Sequence, residues 1–235
     1  MKIKNEKELF DLFVNKYIIF KTDFLHTPFI QEGDGRVFAT DGHIVIMVNS
    51  ECVSGTYETR DYHSDIIPAR DYNCDKPLLA SDLQDALKRC PQVKQCPECN
   101  GDEMVDVDYR AVSNGRHYTI SCCCPVCNGE GVIEKRRGEP AGKMIPKKGS
   151  FIKFGKGYFA WYHIDKIIKA CEMLEIEKIK LVRTDCSWMN IIELSRDIHI
   201  GMMPAPGYKD YGETHVTRVK FTKFLEECTL YKQEI

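Results

Sequence analysis

The chain has 235 residues, 43% hydrophobic, 29% charged and 10% aromatic, proportions of a folded globular protein rather than a disordered or fibrous one. Its 33 basic and 35 acidic residues leave a net charge of -2, so no bulk cationic field draws it to nucleic acid, and any DNA contact needs a local patch. No apolar run approaches the ~20 residues of a membrane span, and MKIKNEKELF carries charges where an export signal needs an apolar core. These features lead to the expectation of a cytoplasmic protein.

In chain order, Lys2-Ile3 reads as a short strand. Asn5 is an N-cap candidate with Glu6 and Glu8 in the first turn, and Leu9, Phe10, Leu12 and Phe13 form an apolar helical face. Phe29–Glu32 and Arg36–Thr40 flank a Gly33-Asp34-Gly35 turn. Asp41-Gly42 makes a second turn into a strand over His43–Asn49. Residues 51–80 are less patterned and broken by Pro68 and Pro77. Ser81-Asp82 then opens a helix to about Arg89, stopped by Pro91.

Twelve cysteines stand out, six of them between Cys96 and Cys127. Without an export signal, clustering points to metal rather than disulfides. Cys96-Pro97-Glu98-Cys99-Asn100-Gly101 and Cys124-Pro125-Val126-Cys127-Asn128-Gly129 are matched C-P-x-C-N-G turns. The two-residue gap converges both sulfurs of a turn on one ion. The glycine lets backbone amides approach the thiolates, and two pairs complete a tetrahedral four-sulfur shell. Zn2+ is the expected ion, although iron accepts the same donors. Cys123 is an alternative to Cys124. Between the pairs, Met104–Tyr109 and His117–Ser121 alternate as strands around Ser113-Asn114-Gly115, a zinc-ribbon plan. With four protein ligands the ion has no open position, so its role is structural. Residues 134–150 form a basic return loop with Arg136, Arg137, Lys147 and Lys148.

Beyond it, Phe151–Phe154 and Tyr158–Phe159 are strand-like and Tyr162–Leu174 is helical. Ile179–Thr184, Met189–Leu194 and Ile198–Met203 are strands, and Val219–Glu227 is a helical pattern. The order strand, helix, three strands thus occurs twice. The fold class expected is α+β, a pair of βαβββ units at 1–50 and 151–210. They flank a linker and helix (51–95) and a zinc ribbon with basic loop (96–150), and a helical tail follows (211–235).

The knuckles, best at Cys124–Gly131, resemble the C-x-x-C-x-G-x-G units of J-domain co-chaperones. The segment Ala39-Thr40-Asp41-Gly42-His43 resembles the A-T-D-G-H-R-L segment of the bacterial DNA polymerase III beta subunit, the sliding clamp. Ile200-Gly201-Met202-Met203-Pro204 is similar to that family's closing hydrophobic-Met-Pro sequence. The resemblance implies a clamp-like frame around duplex DNA, helices towards the phosphates, with weak salt-dependent contacts. Candidate contacts are Lys4, Lys7, Lys16, Lys166 and Lys169, besides Arg136, Arg137, Lys147 and Lys148 of the basic loop. The alternative is that these are ordinary solvated faces. The family carries three such domains per chain, and this sequence carries one, so a ring implies a homo-oligomer. Ile44 stands where the family has Arg. Of the family's hydrophobic partner pocket, Met202, Met203 and Pro204 are the nearest positional match.

Asp41 and His43 fall on one side of a strand, an acid–base geometry, yet Asp-Gly is a common turn. Lys153-Phe154-Gly155-Lys156-Gly157 lacks phosphate-loop spacing. His163, His199 and His215 are isolated. Cys171, Cys186 and Cys228 read as buried apolar residues, and Trp161 and Trp188 as packing anchors. The expectation is a non-enzymatic, sliding-clamp-like protein with structural zinc acting in DNA replication. The alternative is a protein-interaction adaptor on the same scaffold. A zinc-dependent hydrolase requires an open metal position.

Overall fold

The computed structural model describes residues 2–14, 25–60, 73–113, 115–133, 143–205 and 215–219. The elements before the cysteine module are α1 (Glu6–Asp11), β1 (Phe29–Gln31), β2 (Arg36–Thr40), β3 (Ile44–Asn49), β4 (Glu58–Arg60), β5 (Lys76–Leu79) and α2 (Ala80–Lys88). The module holds β6 (Gln92–Gln95), β7 (Met104–Arg110), β8 (His117–Cys123), β9 (Val132–Ile133) and β10 (Met144–Pro146). Then come β11 (Ser150–Phe154), β12 (Gly157–Ala160), α3 (Trp161–Met173), β13 (Lys178–Arg183), β14 (Asn190–Ser195), β15 (Ile198–Met202) and β16 (His215–Arg218). The chain forms two compact units, residues 1–89 with 149–235, and residues 90–148. The fold class is α+β, dominated by strands.

The larger unit is built on an eight-stranded sheet in the order β4-β1-β2-β3-β15-β14-β13-β5. Two meanders, β1-β2-β3 and β13-β14-β15, run from the flanks to the middle. There β3 and β15 pair antiparallel with Ile46 opposite Ile200. Each meander follows a helix, α1 or α3, so the two helix-plus-three-strand repeats expected from the sequence are both present and meet at one central strand pair. The central strands are buried on both faces, which explains why β3 reads as a continuous Ile-Val-Ile-Met-Val run rather than an alternating one. One face gathers Phe29, Phe38, Val45 and Met47, capped by Met189. Phe29 and Phe38 stack with centroids 5.8 Å apart.

The strand expected before each helix differs. Lys2 and Ile3 form no strand; the Ile3 N–H donates to the Cys52 carbonyl at 2.9 Å, since two residues are too few to build a ladder. In the second repeat β12 does precede α3, but it pairs with β11 in a separate sheet completed by β16. The His215–Arg218 strand was not expected: its polar sequence is recruited by parallel pairing to β11. The tail helix expected beyond Val219 lies outside the described residues. Asn5 occupies the N-cap of α1 without a side-chain cap bond. Instead Glu6 accepts from the Ser54 N–H at 2.6 Å and the Tyr57 hydroxyl at 3.2 Å, tying α1 to the segment after β3.

The long helix α3 buries Ile164, Ile167, Ile168 and Cys171, the apolar stripe read from spacing. It ends at Glu175, whose φ of 56° is left-handed. The Ile176 N–H returns to the Cys171 carbonyl at 2.8 Å, and the Glu175 N–H to that of Glu172 at 3.2 Å, a Schellman ending that normally employs glycine. At the other helix, Asp82 accepts the Leu79 N–H at 3.0 Å and starts α2. Gln84 of α2 donates to Glu172 of α3 at 2.9 Å.

Candidate metal centre

In the smaller unit, Cys96, Cys99, Cys124 and Cys127 come together, their sulfurs all within 4.8 Å of one another. The Sγ–Sγ separations are 3.8 Å for Cys96–Cys124 and 3.7 Å for Cys99–Cys127. A tetrahedron with ~2.3 Å metal–sulfur bonds has edges of ~3.8 Å, so the four thiols fit one tetrahedral ion such as zinc. Val105 and Ile133 pack against them. Among the described residues of this unit, the buried apolar side chains are these four cysteines, Cys90 and Pro146. A unit of this size with no other core needs a staple.

Both knuckles adopt the same backbone. Asn100 and Asn128 have φ of 49° and 54°, and the glycines after them, Gly101 and Gly129, 87° and 78°. The Asn-Gly pair in each C-P-x-C-N-G turn thus supplies consecutive left-handed residues that curl the chain around the sulfurs. Gly131, at φ 71°, donates its N–H to Cys127 Sγ at 3.2 Å and returns its carbonyl to the Cys96 N–H at 2.9 Å. A Cβ there would stand 2.6 Å from the Gly101 carbonyl oxygen, so one glycine locks the two knuckles together. Burial pushes the Cys99 thiol up to about 12, with hydrogen bonds to Cys127 and Cys96 adding to the rise. Burial acts on Cys127 too, but the Gly131 N–H and the neighbouring thiols bring it down to about 7. Four clustered thiols cannot all ionise beside one another, and a bound cation supplies the charge that lets them.

Cys124, not Cys123, joins the cluster. Cys123 sits one residue earlier on β8, exposed, opposite Met104. The eleven described cysteines are all free of disulfides. All four clustered groups are protein thiols, a set that around one ion would close the shell and leave no position for a reacting water.

Asp41-Gly42-His43 forms a turn closed by the Asp41 side chain. Asp41 Oδ1 accepts the N–H groups of His43 and Ile44 at 2.9 and 3.0 Å, while Oδ2 takes Lys166 Nζ at 2.6 Å. Burial opposes ionisation of Asp41, but Lys166 and these N–H bonds hold its carboxyl below the usual value. His163 is buried beneath His43, their rings 6.1 Å apart, and among the described residues neither of its nitrogens has a hydrogen-bond partner. Burial lowers it to about 4. The expected anchors also divide. Trp188 is 64% exposed, and its neighbour Met189 packs instead; Cys186 is exposed, whereas Cys171 is buried as expected. The Asp185–Asn190 turn is held by its own hydrogen bonds, Asn190 Nδ2 donating to the Asp185 and Trp188 carbonyls, so it needs no indole in the core. Cys228 lies outside the described residues.

The candidate DNA contacts fall in both units. Lys4 and Lys7 are exposed at α1. Lys166 is ion-paired with Asp41, Lys169 with Asp165 at 2.7 Å, and Lys148 with Glu103 at 3.0 Å. Lys147 donates its N–H to the Pro91 carbonyl at 2.8 Å, fixing the base of the module. Lys16, Arg136 and Arg137 lie outside the described residues. Among the described residues no helix is long and apolar enough to cross a membrane.

No protein-family model matches this chain, and no curated protein matches its sequence. Among solved structures, it is similar to the DNA polymerase sliding clamp from Pseudomonas aeruginosa with ligand, at TM-score 0.42 and 10% identity over 88% of this chain and 65% of that one. The DNA polymerase III subunit beta from the same organism gives 0.39 and 9% over 86% and 65%. The Helicobacter pylori beta clamp bound to a DNA ligase peptide gives 0.30 and 16% over 73% and 41%. The chain spans less than two thirds of the length of these proteins. At such TM-scores the similarity does not define the fold, which rests on the strand pairing described above.

Proposed function

We propose that this chain is a non-enzymatic, sliding-clamp-like protein of DNA replication, or of a mobile-element equivalent, with one structural Zn2+ held by Cys96, Cys99, Cys124 and Cys127. The observation that carries the reading is the pair of helix-plus-three-strand repeats joined at β3 and β15, combined with the Ala39–His43 and Ile200–Pro204 segments that resemble the clamp family. These segments adjoin, the Met203 N–H donating to the His43 carbonyl at 2.8 Å, and Met202–Pro204, the nearest positional match to the family's partner pocket, is our candidate seat for a replication partner. Duplex DNA is contacted by Lys4, Lys7, Lys16, Lys166 and Lys169 on the helices, and by Arg136, Arg137, Lys147 and Lys148 of the basic loop. Zinc rather than iron is assigned because a closed four-thiolate shell in an apolar setting is its ordinary structural form. Several copies assemble to surround the duplex. Unpaired cysteines in a zinc-binding set fit a cytoplasmic setting.

The test is binding to a fluorescent duplex across a salt series. Affinity should fall steeply between ~50 and ~200 mM salt, and Lys4→Glu with Lys7→Glu should flatten the slope. Absence of binding at low salt would refute it.

A second reading, a protein-interaction adaptor without DNA binding, is favoured by the net charge of -2 and by the Lys166–Asp41 and Lys169–Asp165 pairs, which occupy the cations of α3. Capture of protein partners by a chain that ignores duplex DNA at every salt concentration supports it.

A further inference from the structure

The helix α3 begins without a side-chain cap. Its N-cap residue, Ala160, has the extended backbone of a capping position, φ -58° and ψ 141°, but no side-chain oxygen to offer, and no acidic residue stands in the first turn. The first N–H groups of a helix have no intrahelical carbonyl, and with the helix dipole they make its start electropositive. A second observation lies at the same place. His163 is the third residue of α3, and helical side chains lean towards the N-terminus, so its imidazole lies along this first turn. It is 5% exposed, and among the described residues neither ring nitrogen has a hydrogen-bond partner. A buried N–H left unpaired costs free energy that an acceptor recovers. The Tyr162 ring stands edge-on to the imidazole at 4.4 Å, and the exposed His43 ring stacks over it at 6.1 Å.

We propose that the start of α3, with His163 and His43, receives a carboxylate of a partner protein. The oxyanion accepts from the first turn of the helix, where anions are favoured, and from the imidazoles once the exposed His43 ring turns aside. The inference rests on the reading of Met202–Pro204 as a partner seat. The neighbouring carboxylate does not oppose it: Asp41 Oδ1 accepts the His43 and Ile44 N–H groups, and Oδ2 holds Lys166 Nζ at 2.6 Å. Continuity with the seat identifies the occupant. The Met203 N–H donates to the His43 carbonyl and the Ala205 N–H to the Tyr158 carbonyl, both at 2.8 Å, so the Met-Pro segment is tied to the His43 turn and to the strand that leads into α3. One short segment carrying an apolar side chain and an acid spans both. A nucleic-acid phosphate has no apolar group to set on the half-buried Met203.

The test is a titration of the full zinc-loaded chain, followed by the imidazole nitrogen NMR signals of His43 and His163. The probes are acetate, N-acetyl-leucyl-aspartate amide and its asparagine counterpart, from roughly 0.1 to 100 mM at constant ionic strength. Acetate and the aspartate probe should shift both imidazoles, with the aspartate probe binding at least tenfold more tightly than the asparagine one. Ala160→Asp places a carboxylate of the chain itself at the N-cap. It should raise the thermal midpoint, which shows that the fold is intact, and abolish the preference for aspartate. His163→Phe should weaken the aspartate probe at least tenfold. Imidazole signals that ignore acetate and the aspartate probe overturn the proposal, as do equal affinities for the aspartate and asparagine probes or a preference that survives Ala160→Asp. A short single-stranded oligonucleotide that binds more tightly than the aspartate probe, and is lost in Ala160→Asp, also overturns it and assigns the site to phosphate. The titration needs no duplex, so a chain without affinity for duplex DNA refutes the clamp reading while these signals still decide the site.

Discussion

Replacing His163 by Phe should make the larger unit more resistant to acid. The imidazole is 5% exposed, lies beside His43 and the Asp41–Lys166 pair, and among the described residues has no hydrogen-bond partner on either nitrogen. Burial is the main reason that its pKa falls from 6.5 to about 4, with Lys166 and His43 adding to the fall and Asp41 opposing it. Because the folded-state value is the lower one, the unfolded chain binds the extra proton between these limits, and stability falls as pH drops through that window. Above pH ~6.5 the residue is neutral in both states and contributes no pH dependence, while below pH ~4 the loss has saturated. A fall from 6.5 to about 4 corresponds to roughly 3 kcal/mol in total, most of which accrues between pH 7 and 4.5. The Phe variant retains the ring volume and loses the titration. Both tryptophans, Trp161 and Trp188, belong to the larger unit, so urea unfolding followed by indole fluorescence reports that unit alone. The stability difference, variant minus parent, should widen by roughly 2 kcal/mol from pH 7 to 4.5. Parallel curves for parent and variant over that range would refute the reasoning.

Each of Cys96→Ser, Cys99→Ser, Cys124→Ser and Cys127→Ser should lose the metal, measured by elemental analysis, whereas Cys123→Ser should retain it. In the four ligand variants protease should cut within 90–148 while the indole signal of the larger unit stays native. Gly131→Ala forces a Cβ to 2.6 Å from the Gly101 carbonyl at φ 71°. It should weaken zinc retention against a chelator at least tenfold, a strain of roughly 1–3 kcal/mol. Asp41→Asn preserves the turn acceptor for His43 and Ile44 but removes the Lys166 ion pair. It should cost about 1 kcal/mol in urea unfolding and, with Lys166 released, tighten duplex DNA binding at low salt.

The repeats were legible because their signals are local. Ile164, Ile167, Ile168 and Cys171 keep helical spacing, and Asp41-Gly42 announces its turn, here with Gly42 at φ 93°. The cluster of four cysteines was legible because C-P-x-C-N-G encodes both the thiols and the left-handed Asn-Gly backbone that aims them. The sheet order was not legible: only tertiary packing brings Ile200 opposite Ile46, more than 150 residues earlier. The parallel strand at His215–Arg218 carries no apolar alternation, since it lies at a sheet edge and contributes chiefly backbone bonds. Trp188 misled because hydrophobicity alone places an indole inside. The turn that carries it is tied by the Asp185 and Asn190 side chains, leaving the ring outward. Lys166 illustrates the same limit for charge, as a helix-face lysine reads as available until the turn carboxylate that captures it is located.

The most direct test of the clamp-like account is topological. The zinc-loaded chain is assembled on closed circular duplex DNA with whatever loading factor it requires, and its retention is measured by gel filtration before and after the circle is cut once. An encircling, sliding protein stays on the circle and runs off the cut molecule, and that is the result predicted. Equal retention on both forms means ordinary side-on binding, and absence from both means that the scaffold has no hold on DNA. Either outcome contradicts the account.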